Sequence, residues 1–166
     1  IARLRSRRLL LVSTAHRLED LPPGVDHLLQ LEKGRIMYCG RASAARLRAA
    51  LEGEARAHHR AGPALARGRT GVGRKVVTLN AASVYEDGKP ILRDISFTLR
   101  RRECWVVHGG NGSGKSTLLR TVHGDHAVAT GGSITRAGIG PGVPVSDFKE
   151  RTGFVAPQLQ TDYPRH

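Results

Sequence analysis

Residues 109–117 form a glycine-rich run that contains the residues Gly109, Gly110, Asn111, Gly112, Ser113, Gly114, Lys115, Ser116 and Thr117. The run fits the phosphate-loop pattern G-x-x-x-x-G-K-[ST]. Glycines carry no Cβ, so the backbone can turn its N–H groups inward around a polyphosphate. Lys115 supplies a compact positive charge for the phosphates, and the Ser116 hydroxyl can ligate Mg²⁺. The run therefore predicts a nucleotide-phosphate site.

The residues on either side of this loop have the patterns that such a site needs. Residues 104–108 are an apolar run that ends in a histidine, which is typical of a buried parallel strand. After the loop, Leu118, Leu119 and Val122 recur at helical spacing, and we expect Thr117 to open that helix. The N-terminal dipole of the helix favours anions. The strand–loop–helix order predicts an α/β fold of the phosphate-loop NTPase type.

The chain is strongly basic, with 27 Lys and Arg against 14 Asp and Glu and a formal net charge of +13. Such a charge suits nucleic acid or an acidic membrane surface. However, the arginines of the first half are scattered among alanines, as in residues 41–50, and no aromatic side chains interleave with them there to stack on bases. A solvated basic surface is the favoured interpretation, and an RNA-binding groove stays the alternative.

The sequence also indicates in which cellular compartment the protein lies. The longest apolar run, residues 9–12, is too short to cross a bilayer, and no secretory signal is visible. Cys39 and Cys104 lie in apolar, strand-like runs without metal-ligand spacing, which indicates buried reduced thiols. We therefore expect a cytoplasmic protein without a transmembrane segment, and peripheral attachment at the inner face of the membrane stays open.

Periodicity and turn residues divide the chain into elements. Residues 9–13, 76–79, 82–85 and 91–99 are predicted as strands, and residues 42–60 as a helix. Residues 26–31 and 35–39 are predicted as a hairpin with its turn at residues 32–34, and residues 86–88 as a second hairpin turn. Glycines mark residues 61–74 as a linker, and residues 127–145 as a loop with one short strand around Ile134.

From residue 75 onward, the order of features resembles the start of an ATP-binding-cassette (ABC) nucleotide-binding domain. An aromatic residue, Tyr85, is followed by the strand at residues 95–99 and then by the phosphate loop with Leu118 and Leu119 behind it. The resemblance implies ATP and Mg²⁺ as ligands, and it implies that Tyr85 stacks on adenine. The alternative for Tyr85 is a strand aromatic that packs on the core.

The first part of the chain resembles the other end of an ABC domain. Residues 9–22 resemble its final core strand with the switch-histidine loop, and residues 26–36 resemble its closing hairpin. The resemblance gives His16 a catalytic role, in contact with the γ-phosphate and the attacking water. An imidazole can donate to a phosphate oxygen while it accepts from water. Without this context, His16 would be an ordinary loop histidine.

The order of the two parts is reversed relative to a single ABC domain. We therefore predict a junction of two tandem domains. Residues 1–60 form the end of the first domain, residues 61–74 form the linker, and residues 75–166 form the start of the second domain. By the family's rule, His16 and Lys115 would serve different composite sites. The strand entering the phosphate loop would lack the neighbouring strand that carries the catalytic carboxylate. The remaining parts of both domains would lie outside this chain.

Two positions depart from the family pattern. Gly110 stands where Pro or Ala is common, and Gln158 comes one residue later than the usual loop glutamine, so its role as an Mg²⁺ ligand stays open. The resemblance implies ATP binding here and ATP hydrolysis in the parent protein, with a membrane permease as a further partner. Weaker marks at residues 19–24 and 119–126 resemble a soluble tandem type associated with molybdate transport. The alternatives are a ribosome- or RNA-associated tandem ABC protein, a phosphate-loop kinase outside the ABC family, and an inactive truncated remnant.

Overall fold

A mostly parallel sheet carries the phosphate loop. The computed structural model describes residues 9–52 and 73–153. The sheet contains β1 (Leu11–Thr14), β2 (His27–Glu32), β3 (Arg35–Arg41) and β6 (Cys104–His108), in the order β1-β6-β2-β3. β6 runs parallel to β1 and to β2, and all five of its residues are buried. The buried parallel strand predicted at residues 104–108 is confirmed.

The second sheet is antiparallel. It contains β4 (Lys75–Glu86), β5 (Lys89–Arg100) and β7 (Ser133–Arg136), in the order β5-β4-β7. Asp87 and Gly88 form the turn of the β4–β5 hairpin with φ of 49° and 74°. The two strands predicted at residues 76–79 and 82–85 are one continuous strand, because the pairing with β5 continues through a bulge in which Ala81 takes a φ of 46°.

Two of the helices lie at predicted positions, and the short helix at Ser146–Lys149 was not predicted. They are α1 (Ala44–Glu52), α2 (Lys115–His123) and α3 (Ser146–Lys149), and a 3-10 turn covers Leu18–Asp20. α2 begins at Lys115 with Gly114 as its N-cap, so Thr117 lies within the first turn and does not open the helix. The predicted helix at residues 42–60 is confirmed as far as Glu52; residues 53–60, most of the linker and Gln158 lie outside the described residues.

Both parts of the chain contribute to one core. One apolar cluster combines Leu29 and Leu31 with Trp105, Val107 and Leu118, each at most 4% exposed. A second cluster combines residues of the first part of the chain with Val106 of β6: Ala15, Leu28, Ala50 and Leu51. Burial of a large aliphatic side chain stabilises a fold by about 1.5–3 kcal/mol. Residues 9–52 are therefore packed against residues 73–153, and the predicted division into parts of two domains stays a prediction.

A buried polar cluster ties the same two parts together at the amino end of β6. The Asp26 carboxylate accepts a hydrogen bond from the Cys104 N–H at 2.9 Å and lies 2.6 Å from His27 Nδ1. The His27 ring stacks on Trp105 with 4.5 Å between centroids, and the Trp105 indole N–H donates to Glu103 at 2.9 Å. Because buried polar groups are costly when unpaired, this cluster specifies how β2 and β6 align.

The pairing of β6 corrects one expectation. We expected the strand entering the phosphate loop to lack its neighbour, but β1 and β2 pair with β6 on both sides. The physical reason is that these two strands supply the parallel partners that β6 requires, even though they precede it in the chain.

Both cysteines are free thiols, as predicted. Cys104 is buried, and burial together with the nearby Glu103 carboxylate raises the pKa of the Cys39 thiol to about 12. The Cys39 thiol therefore stays protonated, and so unreactive, at neutral pH.

Candidate functional site

The phosphate loop lies where the carboxyl ends of three parallel strands meet. β1, β6 and β2 run in the same direction, and the loop directly follows His108 at the end of β6. In open α/β sheets, ligands bind at this edge. The fold therefore presents the loop at the position where a ligand is expected.

Two glycines of the loop are sterically required. A Cβ at Gly109 would lie 2.3 Å from the Leu31 carbonyl oxygen and 2.6 Å from Ser113 Oγ. A Cβ at Gly114, where φ is 99°, would lie 2.8 Å from a Leu92 methyl carbon. At Gly110, by contrast, no heavy atom lies within 4 Å of an added Cβ. The family's preference for a larger residue at that position is thus compatible with this backbone.

Lys115 is held over the loop by the loop's own carbonyl groups. It is 8% exposed, and its ammonium donates to the Gly109 oxygen at 2.6 Å and to the Gly110 oxygen at 2.9 Å. These contacts place a positive charge at the first turn of α2, where the helix dipole also favours an anion. The arrangement suits recognition of a phosphate chain.

Two hydroxyl groups of the loop differ in their surroundings. Ser113 Oγ is buried and has no hydrogen-bond partner among residues 9–52 and 73–153, which is uncommon for a buried polar atom. The Ser116 side chain is exposed at the amino end of α2. Ser116 is thus accessible to a ligand, and Ser113 has an unused hydrogen-bonding group inside the loop.

Neighbouring elements hold the loop in place. The Gly34 N–H, in the β2–β3 turn, donates to the Ser113 carbonyl at 3.1 Å, and the Gly34 carbonyl accepts from the Arg93 N–H at 2.8 Å. Both sheets therefore support the loop. The sequence marked Gly34 only as a turn residue, and nothing in its local pattern pointed to this contact.

Tyr85 lies at the surface near this support. Its side chain is 55% exposed, so Tyr85 is not a core residue. It pairs with Pro90 across the β4–β5 hairpin, and the carbonyl of the next residue, Ile91, lies 3.3 Å from the Cβ position of Gly114. The hairpin that contacts Gly114 through Ile91 thus also carries the exposed aromatic ring of Tyr85.

His16 lies at the same edge of the sheet. β1 pairs with β6 in a register that sets Thr14 opposite Val107, so the next residues, Ala15 and His16, follow beside His108 and Gly109. His16 is exposed. Within this chain, β1 is the parallel neighbour of the strand that carries the loop, and the assignment of His16 and Lys115 to different composite sites stays a prediction.

One side chain at the loop, Ser116, offers an accessible oxygen for Mg²⁺. Within residues 9–52 and 73–153, no group of three or more His, Cys, Asp or Glu side chains could hold a metal. The Ser116 hydroxyl is one accessible oxygen, and Mg²⁺ commonly takes few protein ligands together with waters and substrate phosphates. Ser116 therefore fits Mg²⁺ bound with a nucleotide.

The fold and the site define a phosphate-loop nucleotide-binding protein. Residues 92–163 match the family model described as ABC transporter. This match fits part of an ABC ATPase, as the sequence predicted, and it confirms the predicted phosphate-loop NTPase fold class.

Curated relatives agree with this family. An uncharacterized ABC transporter ATP-binding protein of Schizosaccharomyces pombe is 35% identical over 98 residues, covering 57% of this chain and 20% of that protein. The ABC transporter ATP-binding protein ModF of Escherichia coli is 37% identical over 52% of this chain and 18% of its own length. The zinc import ATP-binding protein ZnuC of Yersinia enterocolitica is 41% identical over 52% of this chain and 30% of its own length. The chain thus spans less than a third of each relative.

None of the helices in the described ranges is long and apolar enough to cross a membrane.

Proposed function

We propose that this chain binds ATP with Mg²⁺ at residues 109–117, and that its parent protein hydrolyses ATP. The observation that carries the proposal is the buried Lys115 ammonium, held within 2.9 Å of two carbonyl oxygens of a loop in which Gly109 and Gly114 cannot take a Cβ without collision. The loop follows a buried parallel strand and leads into a helix, which is the context that the motif requires.

Each loop residue has a role in this proposal. The backbone N–H groups bind the phosphates, and the Lys115 ammonium turns from the Gly109 and Gly110 oxygens towards the β- and γ-phosphates. Ser116 holds Mg²⁺, which neutralises charge on the phosphate oxygens when it is bound. Ser113 Oγ, which has no partner among the described residues, gains a phosphate oxygen as acceptor.

Two residues outside the loop complete the nucleotide contacts. The exposed Tyr85 ring stacks on adenine, in keeping with its position on the hairpin that contacts Gly114. His16 lies at the carboxyl end of β1 and contacts the γ-phosphate. The first role uses an aromatic face, and the second uses an imidazole N–H.

Hydrolysis and transport are proposed for the parent protein only. We assign the signature motif and the catalytic carboxylate to the remaining parts of the two ABC domains, and expect this chain alone to hydrolyse ATP no faster than background. The relatives are named for zinc import and as ModF, so we propose an energising subunit that works with a membrane permease, without a choice of cargo. Molybdate stays one candidate by resemblance.

Titration with a fluorescent ATP analogue and Mg²⁺ tests the binding proposal. Lys115→Ala should abolish binding, and Tyr85→Ala should weaken it by roughly 5- to 150-fold, because a base–aromatic stack is worth about 1–3 kcal/mol. Lys75→Ala is the matched control, since Lys75 is an exposed lysine at the opposite end of β4 from Tyr85. Unchanged affinity in Lys115→Ala would refute the assignment.

A further inference from the structure

We propose that His108 is a positioning residue that couples the phosphate loop to the loop bearing His16. The inference rests on the proposed ATP binding. It adds a residue to that site, and neither the sequence motif nor the family comparison gives this residue a role. His108 is the last residue of β6, immediately before Gly109. It is a histidine at the end of an otherwise apolar run, and only 2% of it is exposed.

The contact that carries the inference joins the two halves of the chain. His108 Nδ1 lies 3.2 Å from the carbonyl oxygen of Ala15. A carbonyl can only accept, so the imidazole must hold its proton on Nδ1 and donate it. Ala15 is 1% exposed and directly precedes His16. The hydrogen bond therefore fixes the backbone from which the His16 side chain extends.

The position of the bond makes it suitable for coupling. It lies one residue beyond the last paired residues of β1 and β6, Thr14 and Val107, so it continues the sheet by a side-chain contact where the strands diverge. On the other side, His108 is bonded to Gly109, whose carbonyl oxygen accepts from Lys115. A movement of the loop on phosphate binding is thus transmitted to Ala15 through one imidazole.

The expected size of the coupling follows from a single buried hydrogen bond. Such a bond is worth roughly a 2- to 12-fold change in an equilibrium constant. Coupling between two sites is reciprocal. Nucleotide bound at the phosphate loop should therefore order residues 15–21, and the loss of the bond should reduce that ordering by this factor.

Hydrogen exchange on the whole 166-residue chain tests the inference. The probe is a non-hydrolysable ATP analogue with Mg²⁺, and the reporters are the Asp20 and Leu21 N–H groups, which donate to the Arg17 and Leu18 carbonyls. In the unaltered chain, the analogue should slow their exchange. His108→Val should reduce this slowing by roughly 2- to 12-fold.

A matched pair of variants separates positioning from general destabilisation. The Asn side chain places an N–H donor close to the position of His Nδ1, whereas the Gln side chain places it farther out. His108→Asn should therefore retain the response and His108→Gln should lose it, with all three variants binding the analogue. An equal response in His108→Val and the unaltered chain would overturn the inference.

The remaining outcomes are also decisive. Lys115-dependent binding without any slowing at residues 15–21 would refute the coupling and leave the proposed ATP binding intact. Failure of the unaltered chain to bind the analogue would refute the proposed function, and this inference with it.

Discussion

At the scale of single residues, the phosphate loop contains glycines of two kinds. Gly109 and Gly114 lie against atoms that leave no room for a Cβ, at 2.3 Å and 2.8 Å. Gly110 has open space on the same side. The motif therefore combines positions fixed by packing with a position that is free to vary.

This difference predicts opposite effects for two alanine substitutions. Gly109→Ala should destabilise the chain and abolish nucleotide binding, because the Leu31 carbonyl is backbone and cannot move without disturbing β2. A backbone collision of this kind costs more than the usual 0.5–3 kcal/mol of a point mutation. Gly110→Ala should leave both properties nearly unchanged. Chemical denaturation and nucleotide titration of the two variants measure this, and similar losses in both would contradict the account.

Sequence reasoning found the loop residues but not their support. Residues 109–117 follow a local pattern whose chemistry is known from residue types alone. The roles of His108 and Gly34 depend on Ala15 and Ser113, which are distant in the chain. Nothing within a local window identifies such partners, so these contacts could only be seen in the structure.

At the scale of elements, the periodic patterns located the strands and helices but not their pairing. The hairpins β2–β3 and β4–β5 were predicted because their strands are adjacent and joined by turn residues. The neighbours of β6 could not be predicted in the same way, because the local sequence of a parallel strand does not identify the strand with which it pairs. The tandem-domain interpretation led us to expect that a neighbour was missing, whereas β1 and β2 fill both positions.

The carboxyl end of α2 is held by charged side chains. The Arg136 guanidinium donates to the Thr121 and Val122 carbonyls at 2.6 and 3.1 Å, which satisfies two of the last acceptors of the helix. Just beyond the helix, Asp125 accepts from Lys149 at 2.5 Å and lies 2.9 Å from His123 Nδ1. This cluster joins α2 to β7 and α3.

The cluster predicts that the free energy of unfolding falls at acid pH. Partial burial by itself raises the pKa of the Asp125 carboxyl, but hydrogen bonds from Lys149 and His123 outweigh it and the pKa is lowered. The folded state therefore favours the carboxylate. Its stabilisation is present above the unfolded pKa of about 4 and is lost as the pH falls through the lower folded value. The contribution should be below about 1 kcal/mol, because the pair is about one third exposed.

Urea unfolding from pH 7 down to about pH 2 measures this effect, a range that spans the usual carboxyl pKa values. In Asp125→Asn, the free energy of unfolding should fall less as the pH is lowered. Glu150→Gln, at an exposed carboxylate, serves as the control. An Asp125→Asn variant with the full acid dependence would show that the cluster does not stabilise the fold.

At the scale of the whole molecule, residues 9–52 and 73–153 share one sheet and one core. Within the described part of the chain, β1 and β3 are the two edge strands of this sheet. An unpaired strand edge is a site for association. We therefore expect the chain to associate through one of these edge strands, and not through the strand that enters the phosphate loop.

The net charge of +13 leads to a separate prediction for RNA. Phosphate contacts without base stacking should give weak binding that falls steeply as salt rises. Filter binding from about 50 to 200 mM salt tests this, a range over which six to ten phosphate contacts would lose about 10³–10⁵ in affinity. Tight, sequence-selective binding at the upper end would favour the RNA-associated alternative.

The central claim is that a nucleotide binds at the phosphate loop, and its most direct test is an amide map. Two-dimensional ¹⁵N NMR of the whole chain would follow each backbone N–H during titration with the ATP analogue and Mg²⁺. We predict the largest shifts at residues 109–117, and no such shifts in Lys115→Ala. Largest shifts elsewhere, for example at the Asp26–Glu103 cluster, or equal shifts in Lys115→Ala, would contradict the claim.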